Sequence, residues 1–253
     1  MVWLGYLLAL IIGLTLGTLG GGGSILTVPV FVYVLHFDPK LAIAMSLPVV
    51  GATSLVGAIG HWRAGNVHMP SALWFGVFAM TGAYTAATLS TQLRGRVQLF
   101  LLGGVMLAAA TLMLRNSFME TGRTRAVSAV RASRATLAVV GLGVGALTGI
   151  IGIGGGFLIV PALVILAGVP MHQAVGTSLL VITLNALAGF AGQRQRTEIP
   201  VAFVVTFSVV AMIGILAGTR LARHVEQRLL KQAFAVLLLI LACWVLWQNH
   251  GLL

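Results

Sequence analysis

Ten apolar runs, separated by short polar or basic breaks, decide what this chain can become. They fall at Val2–Leu19, Ile25–Phe37, Leu41–Gly60, Met69–Ser90, Val97–Leu114, Ala135–Ile151, Phe157–Val169, Ala174–Gly192, Ile199–Thr219 and Leu229–Trp247. None contains Asp or Glu; Asp38, Glu120, Glu198 and Glu226 all lie between runs. A helix needs about 20 apolar residues to cross a hydrocarbon core of roughly 30 Å, and most of these runs reach that length. Charged residues make up 8% of the 253 residues and apolar ones 59%. A soluble domain carries roughly 25% and 45–50%. So few charges cannot cover a water-soluble globule, which excludes disorder, a coiled coil and a soluble enzyme. Met1 to Leu10 carry no positive n-region, so the first run reads as a membrane segment and not as a cleavable signal. The expected fold is an all-α, polytopic bundle of about eight to ten hydrophobic segments in the membrane.

Two runs are too short to cross alone. Ile25–Phe37 and Phe157–Val169 have 13 residues each and follow glycine clusters. Thirteen residues make a helix about 20 Å long. They occupy matching places in two halves. Shifted by 132 residues, the second half lies on the first without a gap, with 16 identities in the 55 positions from 13 to 67. Chance gives about one in ten, roughly five. Gly20, Gly22 and Gly23 meet Gly152, Gly154 and Gly155; Pro29 meets Pro161; Ser46 meets Ser178. The chain reads as a first membrane repeat over 1–114, a basic cytoplasmic linker over 115–135 and a second repeat over 136–253.

Charge orients this arrangement. The 15 Lys and Arg against 4 Asp and Glu give a formal charge of +11. In a soluble protein that balance suggests nucleic acid. Here the basic residues sit between apolar runs, as topology signals do. With the linker inside and all ten runs crossing, Arg115, Arg123, Arg125, Arg131, Arg134, Arg63, Arg220, Arg223, Arg228 and Lys231 are cytoplasmic. Lys40, Arg94, Arg96, Arg194 and Arg196 fall outside. Five crossings per repeat is odd, so the repeats are expected to be inverted, as in many secondary transporters.

The glycine clusters are the first candidate site: Gly21, Gly22, Gly23 and Ser24, with Gly154, Gly155 and Gly156 as their counterparts. Each glycine costs a helix interior about 1 kcal/mol relative to alanine, so the clusters are expected to unwind it. Unwound backbone at membrane depth survives only inside protein or beside a water-filled cavity. A helix that starts there aims its first N–H groups at an anion. The alternative is close packing by small residues, which Gly13, Gly17, Gly141, Gly145 and Gly149 fit well. The second candidate set is polar, uncharged and repeated: Ser46 with Ser178, Thr53 with Asn185, and Thr177 opposite Met45. Such hydroxyls and amides can bind anion oxygens, or can simply join helices.

Other chemistries find little support. Cys243 has no partner for an internal disulfide, no metal-type spacing occurs, and no cofactor is expected. A phosphate loop needs Lys after its glycines, where Ser24 and Phe157 stand. An intramembrane serine protease would need a base for Ser24, and no histidine lies well inside a run. With no carboxylate in a run, an Asp or Glu proton relay is not expected. His36, His61, His68, His172 and His224 lie near run edges and can titrate near neutral pH, which leaves coupling to protons open. Asp38 before Pro39 reads as a helix N-cap with proline at the first helical position.

The stretch Gly152-Ile153-Gly154-Gly155-Gly156-Phe157-Leu158-Ile159-Val160-Pro161, followed by Gln173-Ala174-Val175-Gly176-Thr177-Ser178-Leu179, resembles the signature of the TauE/SafE sulfite exporter family. A looser copy runs from Gly20 to Pro29 and from Ala42 to Leu47. The resemblance implies a multi-pass protein of the bacterial inner membrane, with about eight spans built from a duplicated unit. It implies alternating-access transport of a small sulfur-containing or organic anion, usually as export. Uptake, and an uncoupled anion channel of the same fold, stay open beside it.

Overall fold

A computed structural model describes residues 2–90, 95–119, 134–151, 156–166, 168–192 and 199–249. Ten helices follow the ten apolar runs, and no strand occurs among the described residues. In the first half they are α1 (Val2–Leu19), α2 (Gly22–Pro29, continued by a π turn over Val30–Val34), α3 (Pro39–Arg63), α4 (Met69–Ser90) and α5 (Gly95–Met119). The second half repeats the order with α6 (Arg134–Ile151), α7 (Gly156–Pro161, with a π turn over Ala162–Leu166), α8 (Met171–Gly192), α9 (Val201–Ala222) and α10 (Gln227–Asn249). Six helices, α3, α5, α6, α8, α9 and α10, contain stretches long and apolar enough to cross a membrane. The protein is a polytopic helical membrane bundle.

Local chemistry sets several boundaries. Asp38 caps α3 by accepting the Lys40 amide at 2.9 Å, with Pro39 at the first helical position. Pro29 and Pro161 each end an α-helical stretch, because proline has no N–H to give to the preceding turn. The chain then widens into a π turn, and in both halves a wide bond closes the element. The Phe37 amide donates to the Phe31 carbonyl at 2.9 Å, and the Val169 amide to the Leu163 carbonyl at 3.0 Å. These bonds are related by the 132-residue shift.

The helix pairing repeats with the sequence. α1 packs along α9, and α6, the counterpart of α1, packs along α4, the counterpart of α9. Gly13 and Gly17 lie on the backbone of Ala211, Ile215 and Thr219, and Gly214 and Gly218 lie on that of Leu10 and Leu14. In the other pair, Gly141, Gly145 and Gly149 rest on Phe75, Ala79 and Ala83. Low numbers meet low numbers in both pairs, so these helices run parallel. The small residues let the backbones touch, which is how helices associate in lipid.

The interior belongs to α3 and α8, the most buried of the apolar spans. Their order of contact is reversed: Leu47 meets Gly189, Gly51 meets Ala186, Gly57 meets Leu179, and His61 meets Gly176. These equivalent helices therefore run antiparallel and cross near Thr53 and Asn185. The buried faces of α2 and α7, with Ile25, Val28, Phe157 and Val160, join a core with Leu102, Met106, Phe234 and Leu238 of α5 and α10.

Candidate functional site

A discontinuity separates α1 from α2. α1 ends at Leu19, and Gly20 takes φ +73°, which only glycine adopts without strain. Its amide still reaches the Leu16 carbonyl at 2.9 Å. Gly21 is the N-cap of α2, with no side-chain cap bond. The break therefore spans Gly20 and Gly21 alone, and Gly22 and Gly23 already belong to α2. The expectation that the whole glycine run unwinds fails for a packing reason. A Cβ on Gly23 would meet the Ile12 carbonyl and lie 2.6 Å from Leu16 Cβ, so the glycine lets α2 fold back closely on α1. In the second half, Gly154 and Gly155 lie outside the described residues, and Gly156 begins α7.

The starts of α2 and α7 meet. A Cβ on Gly21 would strike the Gly156 carbonyl and stand 3.0 Å from Phe157 Cα. One on Gly156 would stand 2.7 Å from Ser24 Oγ and 2.5 Å from Ile182 Cδ1. Ser24 and Gly156 occupy the same place in the two repeats. Neither Gly21 nor Gly156 has room for a side chain: Gly21 lies on the backbone of Gly156 and Phe157, and Gly156 on the side chains of Ser24 and Ile182. Ser24 is fully buried and donates to the Gly21 carbonyl at 2.7 Å.

The central helices supply the walls. Gly20 lies against α8, where a Cβ would be 2.7 Å from both Ser178 Oγ and Val175 Cα. The Ser178 hydroxyl is placed between the Val175 carbonyl at 2.8 Å and the Gly20 carbonyl at 3.1 Å, which ties the first break to the second repeat. Ser46 makes the matching bond to Ile43 at 2.7 Å. Thr177 faces elsewhere: its Oγ1 accepts the His68 amide at 2.8 Å, so it anchors the α3–α4 connection. Thr53 donates to the Val49 carbonyl at 2.7 Å.

Asn185 differs from its counterpart Thr53. It is 1% exposed, and neither its Oδ1 nor its Nδ2 has a partner. Ser54 Oγ on α3 is likewise buried and unpartnered. A buried polar group without a bond costs about 1–3 kcal/mol, so each such group calls for an explanation: strain, an ordered water, an ion or a ligand. Ser178, Ile182 and Asn185 recur at helical spacing on α8, and the first two touch the breaks. Asn185 is thus one turn further along that face.

Sequence reasoning missed two side chains that bond carbonyls in the last described turns of α1 and α6. Where a helix stops, its last carbonyls lose their backbone donors. His61 of α3 lies with Nε2 3.1 Å from the Gly17 carbonyl, and Gln98 of α5 donates through Nε2 to the Ile150 carbonyl at 2.7 Å. Both are buried. They come from other helices, at separations of 44 and 52 residues, and no local pattern announces them.

The described helices form a multi-pass bundle in which the starts of α2 and α7 meet beside the antiparallel central helices. The chain belongs to the TauE/SafE sulfite exporter family, whose model matches residues 5–245. A probable membrane transporter protein from Xylella fastidiosa strain 9a5c is 32% identical, over 94% of this chain and 92% of that protein. The probable membrane transporter protein YdhB from Bacillus subtilis is 27% identical, over 90% of this chain and 93% of its own length. MJ0441 from Methanocaldococcus jannaschii, also called a probable membrane transporter protein, is 24% identical over 91% and 90%. No solved structure matches significantly. The protein is a membrane transporter.

Proposed function

We propose that this transporter is a secondary carrier that moves a small anion by alternating access. A sulfur-containing anion such as sulfite or a sulfonate fits best, and export is the direction. The observation that carries this reading is the unpartnered Asn185, on the α8 face that touches Gly20 and Gly156. Backbone N–H groups at the start of α2 and the amide of Asn185 suit anionic oxygens. The fully described buried residues include no Asp, Glu, Lys or Arg that would demand a counter-charge. Gly21, Gly22, Gly23, Ser24 and Gly156 form the floor of the site in this reading, and Gly154 and Gly155, outside the described residues, join the candidate set by their place in the repeat. Ser46, Thr53, Thr177, Ser178 and Asn185 form or brace its walls. Helix-terminus dipoles give about 0.3–2 kcal/mol each, enough for reversible capture in the micromolar to millimolar range.

Inverted repeats over 1–114 and 136–253, joined by a cytoplasmic linker over 115–135, supply the alternation. Equivalent central helices that run antiparallel support this, as does the parallel course of α1 with α9 and of α4 with α6. Those directions are the ones a chain of ten alternating elements would have. The α1–α9 and α4–α6 pairs then move as rigid bodies about the α3–α8 crossing.

The test is electrical. Purified protein in proteoliposomes on a solid-supported membrane is presented with sulfite, thiosulfate, sulfonates and carboxylates in turn. Transient currents or exchange with at least one anion are expected. A response confined to cations or neutral solutes removes the reading, and a steady uncoupled conductance assigns a channel. Reporters fused near Arg125 and at the C-terminus are expected on opposite sides of the membrane; agreement between them removes the inversion.

A further inference from the structure

Carbonyls in the last described turns of α1 and α6 are bonded by side chains of different chemistry: the Gly17 carbonyl by the imidazole of His61, and the Ile150 carbonyl by the amide of Gln98. A carbonyl only accepts, so His61 Nε2 carries the hydrogen in this bond. Its other nitrogen, Nδ1, can take a second proton, which the Gln98 amide cannot do. Among the described residues, His61 is the only buried Asp, Glu, Lys, Arg or His. The position that matches it in the second repeat, 193, is Gln.

His61 also lies where the first break is assembled. Gly17 is three residues before Gly20 on α1. A Cβ on Gly176 of α8 would be 2.8 Å from His61 Cβ, two residues before the Ser178 that bonds Gly20. The charged and titratable groups around the ring are few. Arg223, just past α9, and His172, at the start of α8, are within electrostatic reach. Arg63 follows on its own helix, and His68 beyond it is bonded through Nδ1 to Ser71 Oγ. α1 presents a carbonyl and no Asp, Glu, Lys, Arg or His.

We propose that His61 carries the proton that travels with the transported anion. This rests on the anion site argued above. With that site empty, a second proton on the ring adds positive charge to a buried group already facing Arg223. With an anion in the first break, the new charge has an opposite charge nearby. The step is a proton transfer: hydronium from solution gives H⁺ to Nδ1 as the anion binds, and Nδ1 returns it to water when the anion leaves on the far side. By linkage, the factor by which the anion raises proton affinity equals the factor by which the proton raises anion affinity. The anion and one proton therefore move in the same direction.

The experiment uses the purified full-length protein in weakly buffered detergent with a pH indicator. The probe is isethionate, a sulfonate whose own charge does not change between about pH 5 and pH 8, where histidine titrates. Wild type is expected to take up about one proton per isethionate bound, with affinity falling about tenfold per pH unit at the alkaline end. His61→Gln keeps a donor for Gly17 but cannot take the proton, so it is expected to bind isethionate with a weaker, pH-independent affinity like that of wild type at its alkaline limit, and without proton uptake. Proton uptake by His61→Gln equal to wild type overturns the proposal. So does isethionate binding by wild type with no proton uptake, a measurement that needs no variant to fold. Failure of wild type to bind isethionate or any anion of the panel removes the site reading and this proposal with it.

Discussion

Glycine and small residues line two kinds of helix contact in this protein, and they do different work. In the lateral pairs, α1 with α9 and α4 with α6, successive glycines one turn apart bring backbones together. Buried hydroxyls there are satisfied locally, as Thr148 is by the Gly145 carbonyl at 2.9 Å and Ser208 by the Val204 carbonyl at 2.7 Å. In the central pair, α3 with α8, glycines alternate with bulkier residues, and Asn185 and Ser54 are left without partners. A membrane interior penalises such groups, and the proposed site lies in the seam that carries them. The lateral seams have the packing of rigid units, while the central seam retains unused hydrogen-bonding capacity.

The largest effect is expected at Gly21, where the starts of α2 and α7 meet. Gly21→Leu drives a side chain into the Gly156 carbonyl and separates the starts of α2 and α7. Transport should fall by about a hundredfold or more, as misplacement of a reacting geometry commonly costs, while the protein still inserts. Anion flux per inserted molecule, measured in proteoliposomes, checks this. Normal flux would detach the breaks from the site.

A smaller effect of the opposite kind is expected in a lateral seam. Gly145→Ala places a Cβ on the Ala79 carbonyl, and a Cβ there would also lie 2.7 Å from Ala79 Cα. Stability should drop by about 1–3 kcal/mol, the usual cost of overpacking, with flux per folded molecule unchanged. Thermal denaturation in detergent beside a flux assay separates the two. Smaller again is Gln98→Leu, which leaves the Ile150 carbonyl without its donor. A loss of about 1–2 kcal/mol is expected, read by the same melting experiment. No change there would mean that α6 is capped by another group.

Much of this contrast is legible in the sequence, because it rests on spacing. The apolar runs predict each helix closely, Val2–Leu19 without a residue of error, since lipid imposes length and apolarity directly. Gly13, Gly17, Gly145 and Gly149 read as packing residues because turn-by-turn spacing is a local signal. Asp38 and Pro39 read as a cap for the same reason. The extent of the first break is harder to see. Glycine's poor helix propensity at positions 22 and 23 is overridden by the contact that α2 makes with Ile12 and Leu16. Thr177, grouped in sequence with Ser178, turns out to serve the α3–α4 connection. His61 and Gln98 act across tens of residues on carbonyls that become free only where a neighbouring helix breaks. No periodicity encodes that.

Asn185 is where the separation of scaffold from site is most exposed to test. Asn185→Leu keeps a γ-branched side chain and removes two unpartnered polar atoms from a position that is 1% exposed. If those atoms are kept for an anion, the variant should melt at or above the wild-type temperature, because a penalty of about 1–3 kcal/mol is lifted. It should also give no anion-evoked current on a solid-supported membrane. A current like that of wild type, or a current lost only in step with a fall in melting temperature, would contradict the assignment and return Asn185 to the scaffold.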